Sequence, residues 1–243
     1  MFKAKIFPSV FEATSAELVD VSNDLLTGLK IEHDGRSYVV GELALIEGSA
    51  PHKGINNAPG DLDYQLLLRA ALAVAKVGAE EPMHVVTGFP YSTYAAHREA
   101  AKSLIEGAHT IKYDGRPFGR RADASMEIEV AQAEILPEIE GFVSGVRGGA
   151  PQEKDPFFAV GLGYGTMETA LRLPSGTVQR TMTSANGLQY ATQLMADRLQ
   201  QEHYLDMLTE HQLDMAMRKG SIVIGRKKMD LTDLRREVLN TYY

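Results

Sequence analysis

Apolar positions along this chain change phase repeatedly, and most changes coincide with turn residues. Ile6-Phe7-Pro8-Ser9 reads as extended and leads into an exposed, acidic stretch through Asp24. Tyr38-Val39-Val40 is a short β-rich run after the turn at Asp34-Gly35, and it ends at Gly41-Glu42-Leu43-Ala44. Turn residues, including Asn56-Asn57 and Pro59-Gly60, fill the loop from His52 to Gly60. Asp61 is placed to cap a helix from Leu62 to Val77 that is apolar nearly all round, so that helix belongs inside a packed layer. Met83–Thr87 predicts a buried strand stopped by Gly88-Phe89-Pro90, and Ser92 or Thr93 opens a more charged helix ending at Gly107.

Strands follow around Thr110–Tyr113 and Ser125–Val130, joined across Asp114-Gly115 and a basic loop. In the second, Met126, Ile128 and Val130 alternate with Glu127 and Glu129; the apolar phase then shifts to Ala131, Ala133 and Ile135, the mark of a bulge or a new strand. Leu136-Pro137-Glu138 closes this run, and a helix is predicted over about 139–147. Phe157–Val160 is a strand, Gly161–Thr166 a glycine-rich turn, and Met167–Leu173 with Val178–Met182 a hairpin about Pro174-Ser175-Gly176. The remainder predicts helices over about 185–201 and 204–219, a strand at Ile222–Ile224, and a last helix capped by Asp230. Strands alternating with helices, with antiparallel hairpins inserted, define an α/β class with mixed sheets.

Composition narrows the class of function. The 243 residues, 44% of them hydrophobic, suffice for a substantial core and for more than one lobe. A formal net charge of -7 argues against nucleic acid as the main ligand. The sequence has no cysteine, which excludes disulfides and thiolate metal sites and fits a reducing cytoplasm. No stretch approaches the ~20 apolar residues of a membrane-spanning helix.

The densest chemistry lies in Gly161-Leu162-Gly163-Tyr164-Gly165-Thr166. Glycines let a backbone turn tightly and approach a ligand, so successive N–H groups can converge on phosphate oxygens, with Thr166 adding a hydroxyl. This turn joins two strands, unlike the P-loop and the dinucleotide fingerprint, which open into helices. On residue type alone it is equally an ordinary hairpin turn. Glu138, at a strand-to-helix junction, suits either a general base or a helix N-terminal carboxylate stabilised by the macrodipole. His203 and His211, with Glu202 and Glu210, could share a helical face, although solvated helix residues explain them as well. A basic run, Arg218-Lys219, Arg226-Lys227-Lys228 and Arg235-Arg236, reads as a solvated face or a contact between copies.

The strand, the glycine turn and the hairpin Met167-Glu168-Thr169-Ala170-Leu171 resemble the second phosphate loop of the actin, sugar-kinase and heat-shock-chaperone superfamily, which typically reads Asp-hydrophobic-Gly-x-Gly-Thr-x-Asp. Here Gly161 stands in the first Asp position and Glu168 in the last. Phe7-Pro8-Ser9, Tyr38–Ala44, Val85–Pro90 with Tyr94, Ile135–Glu138 and Ser184–Gly187 occur in the order of segments found in the plasmid-segregation actins (the ParM/StbA kind) and their archaeal relatives. The ordered set spans nearly the whole chain.

The resemblance implies a ribonuclease-H-like fold of two lobes: residues 1–141 as the first with a small inserted subdomain, 142–155 as connector, and 156–243 as part of the second. It also implies ATP (or GTP) with Mg²⁺ between the lobes. The phosphates would be cradled by Gly161, Gly163, Tyr164, Gly165 and Thr166, with Glu168 and Gly187 nearby and no dedicated protein metal cluster. Glu138 would orient or deprotonate the water that attacks the γ-phosphate. The partners implied are further copies in a filament and a DNA-bound adaptor, with no direct nucleic-acid contact and no membrane. Gly161 cannot do what the family's Asp does for Mg²⁺, so a non-hydrolysing actin-like protein is the alternative, with a small-molecule kinase of the same superfamily behind it. The family's first phosphate loop and its Gly-rich adenosine segment have no counterpart here, which predicts a piece of a longer protein or a shortened homologue.

Overall fold

A computed structural model of the chain describes residues 6–18, 24, 27–55, 58–77, 82–148, 155–175, 178–184, 186–205 and 207–242. Residues 19–23 of the acidic stretch, the Asn56-Asn57 turn, Gly176 and residues 149–154 of the expected linker lie outside these. The chain divides into two compact units: Met1–Phe89 with Thr93–Leu136, and Pro90–Ser92 with Pro137–Tyr243.

The first unit runs β1 (Val10–Ala13), β2 (Leu29–His33), β3 (Arg36–Val40), α1 (Glu42–Glu47), β4 (His52–Lys53), α2 (Leu62–Lys76), β5 (Met83–Phe89), most of α3 (Tyr91–Ile105), β6 (Gly107–Tyr113) and β7 (Ala124–Pro137). Its sheet has the order β4-β1-β3-β2-β6-β7-β5. Alternation sets the inner face: Ile31 lies opposite Tyr38 on one neighbour and Tyr113 on the other, all three buried. Leu66 and Ala70 of α2 and Ala101 and Ile105 of α3 join them in one apolar cluster. Each fully buried leucine or isoleucine there contributes roughly 1.5–3 kcal/mol.

The phase shift in β7 resolves as one continuous strand in which Ala131 and Gln132 are both exposed before burial resumes at Ala133 and Ile135. The Ala133 N–H donates to Glu106 Oε1 at 2.9 Å, so the irregular stretch is anchored by a side chain. The β-rich run ends at Val40 as expected, and α1 starts at Glu42, with Leu43 and Ala44 turned inward. One expectation needs correcting: Met83–Thr87 is not a buried strand, since β5 closes the sheet at one edge, and only Met83 and Phe89 are buried along it.

The second unit holds α4 (Glu138–Gly148), β8 (Phe157–Leu162), β9 (Met167–Arg172), β10 (Val178–Ser184), α5 (Leu188–His203), α6 (Glu210–Lys219), β11 (Ser221–Ile224), β12 (Lys227–Asp230) and α7 (Thr232–Tyr242). Its three-stranded antiparallel sheet has the order β10-β9-β8. Ile139 and Val143 of α4 pack onto Ala159 and Ala170, paired residues whose small side chains let the helix approach. Ala191, Met195 and Leu199 recur every four residues along α5 and meet Leu213 and Ala216 of α6 and Leu234 and Val238 of α7.

The helix expected over 204–219 begins only at Glu210. Tyr204 adopts a left-handed conformation (φ 56°) that ends α5. Thr209 then opens α6 through a reciprocal cap with Gln212, each side chain accepting the other's backbone N–H. His203 and His211 consequently stand on different helices. The hairpin partner β12 was not expected. Asp230 does precede the last helix, its Oδ1 accepting the Thr232 N–H at 2.9 Å.

Candidate functional site

The glycine turn is assembled from three directions within the second unit. Gly161 and Leu162 still belong to β8, with Gly161 opposite Glu168 on β9. The Gly163 N–H donates to the Thr166 carbonyl at 2.8 Å and closes the turn. The Gly163 and Tyr164 carbonyls then accept the N–H groups of Leu188 and Gln189, at 3.1 and 2.7 Å. These are among the donors that a helix leaves unpaired at its start, so the turn itself caps α5.

Gly187, the residue before α5, makes this contact sterically feasible. A methyl there would lie 2.3 Å from the Tyr164 oxygen and 2.5 Å from the Thr166 nitrogen. Tyr164 directs its side chain to the same helix: its hydroxyl meets Thr192 Oγ1 at 3.3 Å, while Thr192 donates to the Gln189 carbonyl. That arrangement makes the tyrosine hydroxyl the donor. Burial, more than any neighbouring charge, pushes the Tyr164 phenol above its usual value.

On the other side of the turn is a cavity of about 230 Å³. Glu138, Gly161, Gly163, Thr166 and Glu168 line it, together with Phe142. Five of the eight residues implied as functional therefore share one cavity wall. Tyr164, Gly165 and Gly187 form the support behind it. Position along the chain could not separate these two groups, because the separation depends on which way the turn faces α5.

Glu138 is the first residue of α4, where the helix start favours a carboxylate. Much of the residue is open to solvent, yet its carboxyl group lies among enough protein atoms that desolvation raises its pKa, and the Glu168 carboxylate raises it further. Glu168 is 4% exposed and accepts the Tyr91 backbone N–H. On the same buried face of β9, Arg172 forms an ion pair with Glu140. Neither Tyr91 nor the Arg172–Glu140 pair was legible beforehand, because each joins positions far apart in sequence with no local pattern to mark them.

The donor set is oxygen-only: two carboxylates, a threonine hydroxyl and the turn's backbone. Such a set suits a hard, hydrated divalent cation such as Mg²⁺. No lysine or arginine is among the residues lining the cavity. An anion would therefore need a cation beside it to offset Glu138 and Glu168. Among the described residues, no group of three or more His, Asp or Glu side chains forms a metal cluster. The residues fit a phosphate accompanied by Mg²⁺, with much of the cation's shell left to water and phosphate.

Sheets flanked by helices, with a glycine turn between antiparallel strands and a carboxylate at the neighbouring helix start, define an actin-like fold. Residues 2–141, more than half the chain, match the family described as actin like proteins N terminal domain. The chain belongs to the actin-like proteins. Solved structures extend the match across both units. A non-polymerisable quadruple mutant of pCBH ParM superposes with TM-score 0.74 at 16% identity, covering 97% of this chain and 74% of that one. A ParM filament from Clostridium botulinum gives 0.72 at 18%, with the same coverages. Ta0583, an archaeal actin homolog in complex with ADP, gives 0.70 at 13%, covering 97% of this chain and 71% of its own. At these identities the likeness shows the fold. No curated protein sequence matches the chain.

Proposed function

We propose that this chain is a nucleotide-dependent, filament-forming actin-like protein that segregates DNA, a plasmid above all, in the cytoplasm of its host. The observation that carries the reading is the convergence of Glu138 and Glu168 on a cavity walled by Gly161, Gly163 and Thr166. Backbone N–H groups and a hydroxyl suit phosphate oxygens, and the paired carboxylates suit the water shell of Mg²⁺. When bound, Mg²⁺ supplies charge neutralisation at the phosphates of ATP or GTP.

Glu138 would hold the attacking water. Its raised pKa makes it a stronger proton acceptor than an ordinary surface glutamate. The solved relatives include one in complex with ADP and another seen as a filament, which supports nucleotide binding and self-association here. A DNA-bound adaptor would couple the filament to its cargo. No helix of the described residues is long and apolar enough to cross a membrane.

One observation favours a second reading. Gly161 presents no side chain opposite Glu168, so the acid expected to help hold Mg²⁺ is replaced by hydrogen. A protein that binds nucleotide and polymerises without turning it over satisfies the same geometry. Calorimetry with ATP and Mg²⁺, sedimentation with and without nucleotide, and phosphate release, all on this 243-residue chain, separate these readings. Binding and pelleting with phosphate release supports the hydrolysing reading, and binding and pelleting without release supports the second. Absence of nucleotide binding sinks both.

A further inference from the structure

Three of the most exposed large apolar side chains lie around one groove of about 310 Å³ in the second unit. Met207 is 89% exposed, Tyr204 87% and Val223 62%, and Leu205, Leu208 and Ile224 line it with them, beside Gln212 and Gly225. Exposed apolar clusters of this kind mark interaction surfaces. Beside the groove, the tight turn at Gly225-Arg226, both with positive φ, carries Arg226, Lys227 and Lys228 into solvent. None of the three forms an ion pair with another described residue. The surface therefore suits an apolar side chain flanked by acids.

The chain itself carries such a feature, in the first unit. Ile46 of α1 is 60% exposed, and Glu42 and Glu47 beside it are exposed with no ion pair among the described residues. Glu42 and Ile46, four apart, share a helical face. Leu43 and Ala44 hold that helix against the sheet, so the knob stands on fixed backbone. Leu62 is the nearest rival, but its flanking acids are engaged: Asp61 accepts the Ala58 N–H, and Asp63 pairs with His52.

We propose that the Tyr204–Met207–Val223 groove receives Ile46 of a second copy of this chain, with Arg226, Lys227 and Lys228 facing Glu42 and Glu47. The contact joins two different patches and is therefore head-to-tail, the kind that propagates into an open assembly unless the rotation between copies closes a ring. It deepens the self-association reading and rests on it.

The absence of cysteine allows a direct test. Ile46→Cys and Val223→Cys chains, mixed without nucleotide and oxidised, should form the mixed disulfide dimer about tenfold faster than Val77→Cys with Val223→Cys, because the charges steer encounter. Lys227→Glu with Lys228→Glu should abolish the advantage, and Glu42→Lys with Glu47→Lys in the partner should restore it. These positions are exposed, so folding is spared, and circular dichroism checks it. A rate equal to the control pair, or charge reversal without rescue, overturns the contact. If the chain pellets with nucleotide yet shows no such cross-link, this contact fails and the filament reading stands. If the cross-link forms while nucleotide binding and pelleting are absent, the contact stands and the nucleotide reading fails.

Discussion

Gly187 lies directly against Tyr164: a Cβ at position 187 would sit 2.3 Å from the Tyr164 carbonyl oxygen, where backbone has nowhere to move. The same oxygen accepts the Gln189 N–H, so the glycine and the helix cap are parts of one junction. Gly187→Ala must push the turn off α5 or break that cap. We expect a loss of about 3 kcal/mol of stability, at the upper end for overpacking. Urea denaturation measures it; a loss below about 1 kcal/mol would show that the turn shifts freely.

Gly161 presents the opposite situation, with no atom within 4 Å of where its Cβ would be. Gly161→Asp should therefore fold normally. It adds a third carboxylate near Glu138 and Glu168, so the variant should melt slightly lower in EDTA and distinctly higher as Mg²⁺ is titrated in. Thermal shift that responds to Mg²⁺ no more than the parent protein would refute the assignment of this cavity to a cation.

Glu138 has a pKa raised in the folded state, so folding favours its protonated form. The sign follows by linkage. Below the ordinary glutamate range the group is protonated in both states and costs nothing; as pH rises through the folded pKa the charged form carries a penalty, present in full above it. Glu138→Gln should raise the melting temperature modestly at pH 7, with the gain shrinking towards pH 4. The effect is small because much of the residue remains open to water. Loss of stability at pH 7 would point instead to a favourable interaction with the start of α4.

Thr209 sets the start of α6 through its reciprocal cap with Gln212. Thr209→Ala should cost about 1 kcal/mol and speed amide exchange at the first turn of α6. Thr209→Ser, which retains the acceptor, should be close to neutral. Equal losses in both variants would show that the methyl group, not the cap, matters.

Much of this architecture was legible in local pattern. Leu62–Lys76 shows a dense apolar run after Asp61, and β7 shows its phase change at Ala131, because burial on one face imposes period on sequence. The missed elements are short or lack period. β4 has two residues, β12 carries three polar residues of four, and α1 was hidden behind a strand ending in Val39-Val40. The break before α6 was readable from Thr209 and Gln212, a capping-box spacing, but the apolar spacing across Tyr204–Leu208 masked it.

The sequence by itself determined the α/β class, the glycine turn between two strands, the carboxylate at the α4 junction and the family resemblance that residues 2–141 support. These depend on near neighbours in the chain and on residue type. Only the tertiary structure decided which residues of the turn face the cavity and which brace α5, because that choice is made by the contact of Gly187 with Tyr164 and Thr166, more than twenty positions away. It also brought Glu138 beside Glu168, and that proximity, with desolvation, raises the Glu138 pKa: burial and repulsion act through space, and no local pattern encodes them.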